Sequence, residues 1–543
     1  MARREKPDTF RSGEFRIACV CVLLALLVVA GAVPLRATEV SHQQVVYVDV
    51  AASGRNDGSC WANAYRFLQD ALADANDSEA PVEIRVALGV YRPDTSSACP
   101  EGTGDQTATF YLIDDVAIKG GFAGVGATDP NARDIALYET ILSGDLAGDD
   151  APVLDPCDLL TEPTRAENSY TVVTGGACSR SAILDGFTIT SGQATGLLPF
   201  AGGGLSLFSS IDGAPCCPSI RNCTFTGNSS DSAGAIRVVG ASPELVNCEI
   251  RRNAAITGGA IVTKSSRIGT SEPCEFIIRR CMLEENYAST NGGAIYISGN
   301  APCTVEDCTF IENSARSGGA VYIALSKEPP NIANCRFIRN AAAGAGGAVY
   351  FKCENGFDMA SCTLFGNMAQ TGNAIACLEL LFAAAPAPSA TITNTILWDG
   401  GEEIGIGEHV QMNVTYSDIQ SGWPGEGNID VDPLFADPDD SDHHLKSQTG
   451  RLDPASMTWV QDDVTSHCID AGDPNSPIGL EPFPNGGRVN MGAYGGTAEA
   501  SKSYFGEPVC ETIIAGDING DCKVDLRDLA ILTSHWLEDR TGK

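Results

Sequence analysis

The stretch "CTFIENSARSGGAVY" spans Cys308–Tyr322, and "CRFIRNAAAGAGGAVY" follows at Cys335–Tyr350. Both hold a Cys, an apolar residue two later, an Asn three after that, and then a Gly pair. Aligned on the Cys, six units appear, anchored at Cys223, Cys248, Cys281, Cys308, Cys335 and Cys362 and spaced 25, 33, 27, 27 and 27 residues apart. Ile220, Leu245, Ile278, Val305, Ile332 and Met359 precede the anchors, and Phe225, Ile250, Leu283, Phe310, Phe337 and Leu364 follow them. Asn228, Asn253, Asn286, Asn313, Asn340 and Asn367 complete each unit before its small-residue turn. Residues two apart share one face of a strand. Each unit has room for about three short strands and cannot bury its apolar face alone. Stacked units can, so this period implies a solenoid, and several short strands per unit imply a parallel β-helix.

Stacking assigns a role to each column. Phe, Leu and Ile fill the core. The Asn column reads as a ladder at a tight turn, with Asn taking the left-handed conformation that such turns need. The Gly column supplies backbone freedom. The Cys column reads as small buried apolar residues, with neighbouring coils within disulfide range. "ILDGFTITSG" (183–192) and "TITNTILWDG" (391–400) are degenerate coils, so the solenoid is expected over about 165–420.

"FIENSARSGGAVY" resembles the paired FxxN and GGA[ILV] repeats of the chlamydial polymorphic outer membrane proteins. That resemblance implies a right-handed parallel β-helix at a cell surface, associated with adhesion. Unlike that family, this sequence shows no C-terminal run of alternating strands suited to a membrane barrel.

The flanks fit an exported solenoid. Positive charge at Arg3, Arg4, Arg11 and Arg16 precedes an apolar run, Ile17–Val33, with small residues at Ala32 and Ala37. Residues 1–37 read as a signal peptide, and membrane contact would come only through this segment if it were retained. Of 21 cysteines, 19 lie beyond it, and export permits disulfides. The formal net charge of −34 and pI near 4.4 argue against nucleic acid and anionic lipid.

Residues 45–164 are expected to hold an N-terminal cap and irregular first coils. Trp61, Tyr65, Leu68, Leu72 and Ala75 follow helical spacing and predict one capping helix. "SGDLAGDDAPVLDPCDLL" (143–160) reads as loops, where nothing identifies a ligand. Residues 421–505 form a closing segment. Its Asp430, Asp432, Asp437, Asp439, Asp440 and Asp442, beside His443 and His444, read as a solvated loop, with calcium or acid–base chemistry as the sharper alternative.

The closing stretch "GDINGDCKVDLRDLAILTSHWLED" is the sharpest chemical motif. Asp517, Asn519, Asp521, the Lys523 carbonyl, Asp525 and Asp528 fall at positions 1, 3, 5, 7, 9 and 12 of a calcium loop. Leu529, Leu532 and Trp536 then mark an exiting helix. The motif resembles one type I dockerin repeat, within a module over 508–543. Dockerins carry two such repeats, and Cys522 stands where Gly normally turns the loop. A Cys510–Cys522 bridge is a candidate to hold that turn. The resemblance implies that Leu526 and Arg527 face a cohesin-like partner.

The fold expectation is therefore all-β: a right-handed parallel β-helix with a helix-bearing N-terminal cap and a small EF-hand/dockerin-like loop-helix. Three functions compete. The first is a secreted or cell-surface protein that binds polysaccharide, cell-surface glycan or a partner protein, with Ca2+ in its attachment module. The second is a polysaccharide lyase or glycoside hydrolase, and the third a structural envelope component. Arg237, Arg251, Arg279 and Arg280 recur on the coils with no acidic set evident beside them. The regular 27-residue period favours binding over catalysis, and the longer unit between Arg252 and Cys281 is the expected place for a site.

Overall fold

The structure is a computed structural model. It describes residues 43–196, 201–209, 216–264, 275–299, 302–326, 328–352, 356–377, 389–408, 410–505, 516, 518 and 524–534. The expected signal peptide (1–37), Cys510, Cys522 and the calcium-loop residues Asp517, Asn519, Asp521 and Lys523 lie outside the described residues. So do 265–274 of the long unit.

Four parallel sheets dominate the described residues. The coil that begins at Ser219 shows the path. Ser219–Arg221 lies in sheet 1, Thr224–Thr226 in sheet 2, Ser229–Ser232 in sheet 3 and Ile236–Val239 in sheet 4. Each strand pairs in parallel with its equivalent one coil on. The chain is thus an all-β solenoid. Six of its coils have four strands rather than three, because the small residues after the Asn position are extended between two turns, and the remaining coils lack the sheet 3 strand. Sheet 1 already begins at Gln44–Val48 and runs to Gln411–Thr415.

The expected columns stack in register. Ile220, Leu245, Ile278, Val305, Ile332 and Met359 pair one with the next and are buried. Phe225 through Leu364 do the same in sheet 2, where the Phe310 and Phe337 rings stack at 4.6 Å. The N-terminal helix is shorter than its apolar stripe implied. It spans Leu68–Asn76, and Leu68, Leu72 and Ala75 face the core. Trp61 sits in a separate 3-10 turn, and Tyr65 bridges to Val48, so neither belongs to the helix.

The Asn ladder is buried and continuous. Asn313 Nδ2 donates to the Leu283 carbonyl at 2.8 Å and to Asn340 Oδ1 at 2.9 Å. Its own Oδ1 accepts from the backbone N–H and Nδ2 of Asn286, both at 3.0 Å. The pattern holds from Asn228 to Asn367 and ends on Asp399 Oδ1. The expected left-handed Asn is corrected. Arg252, Glu285, Glu312 and Arg339, each one residue earlier, carry φ of 50–54°, with Gly227 and Gly366 at the same place. The turn needs one left-handed residue, and the Asn is instead fixed by its amide bonds.

The Gly column has two duties. Gly258, Gly292, Gly318 and Gly346 take φ of 64–68°. At the next position a Cβ on Gly259, Gly293 or Gly319 would collide with the carbonyl of the following coil. The Cys column is a second ladder as well as apolar filler. The backbone N–H of Cys248 donates to Cys281 Sγ at 3.4 Å, and Cys335 to Cys362 Sγ likewise. Thr395 and Ser417 continue the column through their hydroxyls. No bridge joins the described cysteines, and burial pushes the Cys223 thiol up to about 12.

These contacts predict unequal costs. Asn313→Ala leaves the Asn286 donors and the Leu283 carbonyl buried without partners, a loss of about 2–4 kcal/mol. Cys308→Ser keeps a hydrogen-bonding atom in the column and costs less than half of that. Urea unfolding followed by circular dichroism measures both. Equal losses would show that the amide ladder has no special weight.

Candidate functional site

The left-handed corner between sheets 1 and 2 forms an outward ladder. Asn222, Asn247, Arg280, Asp307, Asn334, Ser361 and Asn394, each directly before the Cys position or its Thr395 equivalent, share φ of 50–54°. A left-handed corner turns its side chain away from the core. The early members bond to one another: Asn222 to Asp185 at 2.8 Å, Asn247 to Asn222 at 3.3 Å and Arg280 to Asn247 at 3.0 Å. The later members receive the closing segment. Asn334 Nδ2 donates to the carbonyls of Ala493 and Gly495, at 3.2 and 2.9 Å. Asn394 accepts from the Asp473 N–H and donates to Ser476.

The closing segment thus folds back along the solenoid. Sheet 2 prepares for it. Its outward positions Thr226, Arg251 and Glu284 give way to Ile338, Phe365 and Trp398, one column along the stack. Ile396 and Phe365 pack there with Phe435, Leu445, Cys468 and Met491 in a second apolar core. Thr363 Oγ1 accepts the Ala493 N–H at 3.0 Å.

Where the closing segment overhangs the still polar coils, a groove of about 710 Å3 opens. Arg280, Asp307, Thr309 and Arg336 form one wall, and Leu480, Tyr494, Thr497 and Glu499 the other. Arg336 is held in place, donating to Tyr494 Oη at 2.8 Å and to Thr309 Oγ1 at 3.0 Å. Arg280 is exposed. The two guanidiniums are matched by two carboxylates, Asp307 and Glu499. The Asp307 pKa is raised, first by desolvation at the wall and then by the Glu306 charge, against the pull of Arg280 and Arg279, with Glu499 adding to the rise.

Behind the wall lies a buried polar chain. His444 stacks on Tyr494 at 3.7 Å and its Nδ1 meets Asp442 Oδ1 at 2.6 Å. Burial would raise Asp442, but the His444 bonds and Arg451 hold it below its ordinary value. Burial lowers His443 to about 4, between Phe365 and Phe435. Both histidines are only 1% exposed, so they anchor the segment and do not face the groove. Burial raises Tyr494 to about 12.

The acidic run does not gather around one point. Asp430 and Asp432 cap turns, Asp437 caps a 3-10 turn, and Asp442 pairs with His444 and Arg451. Of the coil arginines, Arg251 meets Glu249 and Arg279 meets Glu306, both at 2.8 Å, and Arg280 donates to Asn247 at 3.0 Å. Glu249 shares a strand face with Arg251, whereas Glu306 is brought beside Arg279 by the register of adjacent coils.

In the first turn of the terminal helix, Asp528 is 2% exposed. Its Oδ1 accepts the Ile518 N–H and its Oδ2 the Asp525 N–H, both at 2.7 Å. These two bonds tie the Asp528 carboxylate to the backbone of Ile518 and Asp525. The exiting helix spans Leu526–Ser534, with Leu526 79% exposed and Arg527 exposed.

Glu481 is a buried carboxyl that ties two turns of the closing segment together. Its Oε1 accepts from Asn490 and Gly496, while its Oε2 is buried without a partner. Burial raises it to about 7. A carboxyl raised in the folded state stabilises fully below its unfolded value of about 4.5 and loses that contribution as pH climbs through about 7, here ~3 kcal/mol. Glu481→Gln mimics the protonated form. It should narrow the fall in melting temperature between roughly pH 5 and roughly pH 8, which differential scanning calorimetry reads. An unchanged fall would place the titration elsewhere.

A family model described as a right-handed beta helix region matches residues 216–380, and one described as disaggregatase related matches 411–472. No curated protein sequence matches the chain. Among solved structures, pectate lyase Pel9A aligns at 12% identity and a TM-score of 0.39, over 84% of this chain and 97% of that one. The catalytic unit of a thermostable GH87 alpha-1,3-glucanase from Streptomyces thermodiastaticus strain HF3-3 aligns at 13% identity and a TM-score of 0.28, over 71% and 69%. Among the described residues no helix is long and apolar enough to cross a membrane. The stacked parallel sheets and the family model over their repeats establish the fold: the chain is a right-handed parallel β-helix.

Proposed function

We propose that this is a secreted or cell-surface β-helix that binds polysaccharide in the groove between its coils and its closing segment. The observation that carries the reading is the groove's lining. Exposed Arg280, Asp307 and Glu499 and half-buried Arg336 and Thr497 face each other across a fixed cleft, a set suited to the hydroxyls of sugars. The two arginines are offset by two carboxylates, on a chain of formal net charge −34. That balance favours a neutral glycan over a polyanion.

The terminal loop supports an attachment role. Asp517, Asn519, Asp521, the Lys523 carbonyl, Asp525 and Asp528 would hold Ca2+, and Leu526 and Arg527 would meet a cohesin-like protein partner. The closure of Asp528 onto Ile518 fits that reading.

A second reading, a polysaccharide-degrading enzyme, draws on Asp307. Its raised pKa and the facing Glu499 suit proton transfer to a glycosidic oxygen.

One experiment separates the two. The chain is incubated with neutral and uronic-acid polysaccharides, and both pelleted protein and new reducing ends are recorded. Binding without products is expected, strongest on a neutral polymer, with Arg280→Ala weakening it about tenfold. Product release abolished by Asp307→Asn, with binding retained, would make the chain an enzyme. No binding to any polymer would remove the groove from consideration.

A further inference from the structure

Both side-chain ladders stop at the same junction. The Gly192 N–H donates to Asn228 Oδ1 at 3.0 Å, so Gly192 stands at the Asn place of the coil before. Thr188 pairs with Thr224, which puts Phe187 at the Cys place of that coil. Neither residue can extend a ladder. The coil that holds Ile183–Asp185 and Thr188–Thr190 therefore contributes no amide or sulfur of its own toward the coil of Ser219–Arg221.

A pair of sulfurs spans this junction at another corner, between sheets 4 and 1. Cys178 follows Val173–Gly176, and Cys216 precedes Ser219–Arg221 in the next coil. The Cys217 N–H donates to the Cys178 carbonyl at 2.6 Å, and the Ser242 N–H to the Cys216 carbonyl at 2.7 Å. Cys178, Cys216 and Ala241 thus form one column, and all three are buried. The Cys178 and Cys216 Sγ atoms are 3.1 Å apart, in hydrogen-bond contact. Equivalent positions one coil apart lie about 4.8 Å from each other, inside the roughly 4.4–6.8 Å Cα separation of disulfides. Neighbours in the longer Cys column meet differently. The Cys281 N–H donates to Cys308 Sγ, and the Cys281 thiol itself turns to the Leu245 and Arg279 carbonyls. The hydrogen bond from Cys178 holds the Cys216 thiol below its ordinary value, against its burial. The thiolate is the attacking species in disulfide exchange.

We propose that Cys178 and Cys216 form a structural disulfide that staples these two coils where the ladders end, an inference that rests on the export included in the proposed function. Both S–H bonds break and one S–S bond forms. The two electrons and two protons pass to a disulfide oxidant of the export compartment, which is cleaved to two thiols. Cys178 is 2% and Cys216 0% exposed, so the exchange takes place before the corner closes, and the finished bond is shielded from reductants.

The test directs the full chain to a bacterial periplasm with a fused export signal, so its result does not depend on what residues 1–37 do. The purified chain is alkylated in denaturant without reductant, digested with trypsin and mapped by mass spectrometry. Peptides 166–180 and 181–221, which carry Cys178 and the Cys216–Cys217 pair, should appear linked and separate on reduction. The link should survive Cys217→Ser. Cys178→Ala should speed amide exchange in Ile183–Asp185 and leave Phe276–Arg279, deep in the ladders, at the unsubstituted rate. Alkylated cysteines in both peptides, or a link that vanishes in Cys217→Ser, would overturn the bond. Unchanged exchange in Ile183–Asp185 would overturn its stapling role. Amino-terminal sequencing of chain recovered outside cells, made with its own residues 1–37, reports separately on export.

Discussion

The buried amide ladder is the constraint on which the rest of the structure depends. Parallel strands can slide, and a slip of one residue would turn every core side chain outward. Each ladder Asn prevents that by accepting from the coil before it and donating to the coil after it, in a site fully shielded from bulk solvent. Breaking one link strands several polar groups at once. Register is therefore fixed coil by coil, and the apolar columns follow from it.

Fixed register also makes the outside of the solenoid a lattice of columns. Residues far apart in sequence become neighbours at about 4.8 Å. Arg252 meets Glu285 and Arg339 meets Glu312 across adjacent coils. The same lattice carries the change along sheet 2, from Thr226 and Arg251 to Ile338, Phe365 and Trp398, that admits the closing segment. The groove is the boundary between the two regimes, roofed by the segment that the apolar regime recruits.

The columns were legible in the sequence because a repeat displays its own register. Inward Ile220 and Phe225 and the Asn ladder all stood at fixed distances from the Cys, and the Gly turns followed ten or eleven residues after it. The left-handed residue was misplaced by one position, since Asn and its predecessor are both polar and only the amide bonds separate their roles. The groove was not legible. It depends on contacts such as Thr363 to Ala493 and Asn334 to Gly495, which no local spacing encodes. The outward switch at Ile338 and Phe365 was the available signal. The calcium loop was legible for the opposite reason, since all its proposed ligands fall within twelve residues.

Amide hydrogen exchange, resolved by residue, tests the account most directly. The backbone N–H groups of Asn228, Asn253, Asn286, Asn313 and Asn340 lie at turns, yet each donates to the Oδ1 of the next ladder Asn. They should exchange as slowly as the core strands on either side. Exchange at the rate of ordinary surface turns would mean that the ladder is not what holds the coils in register.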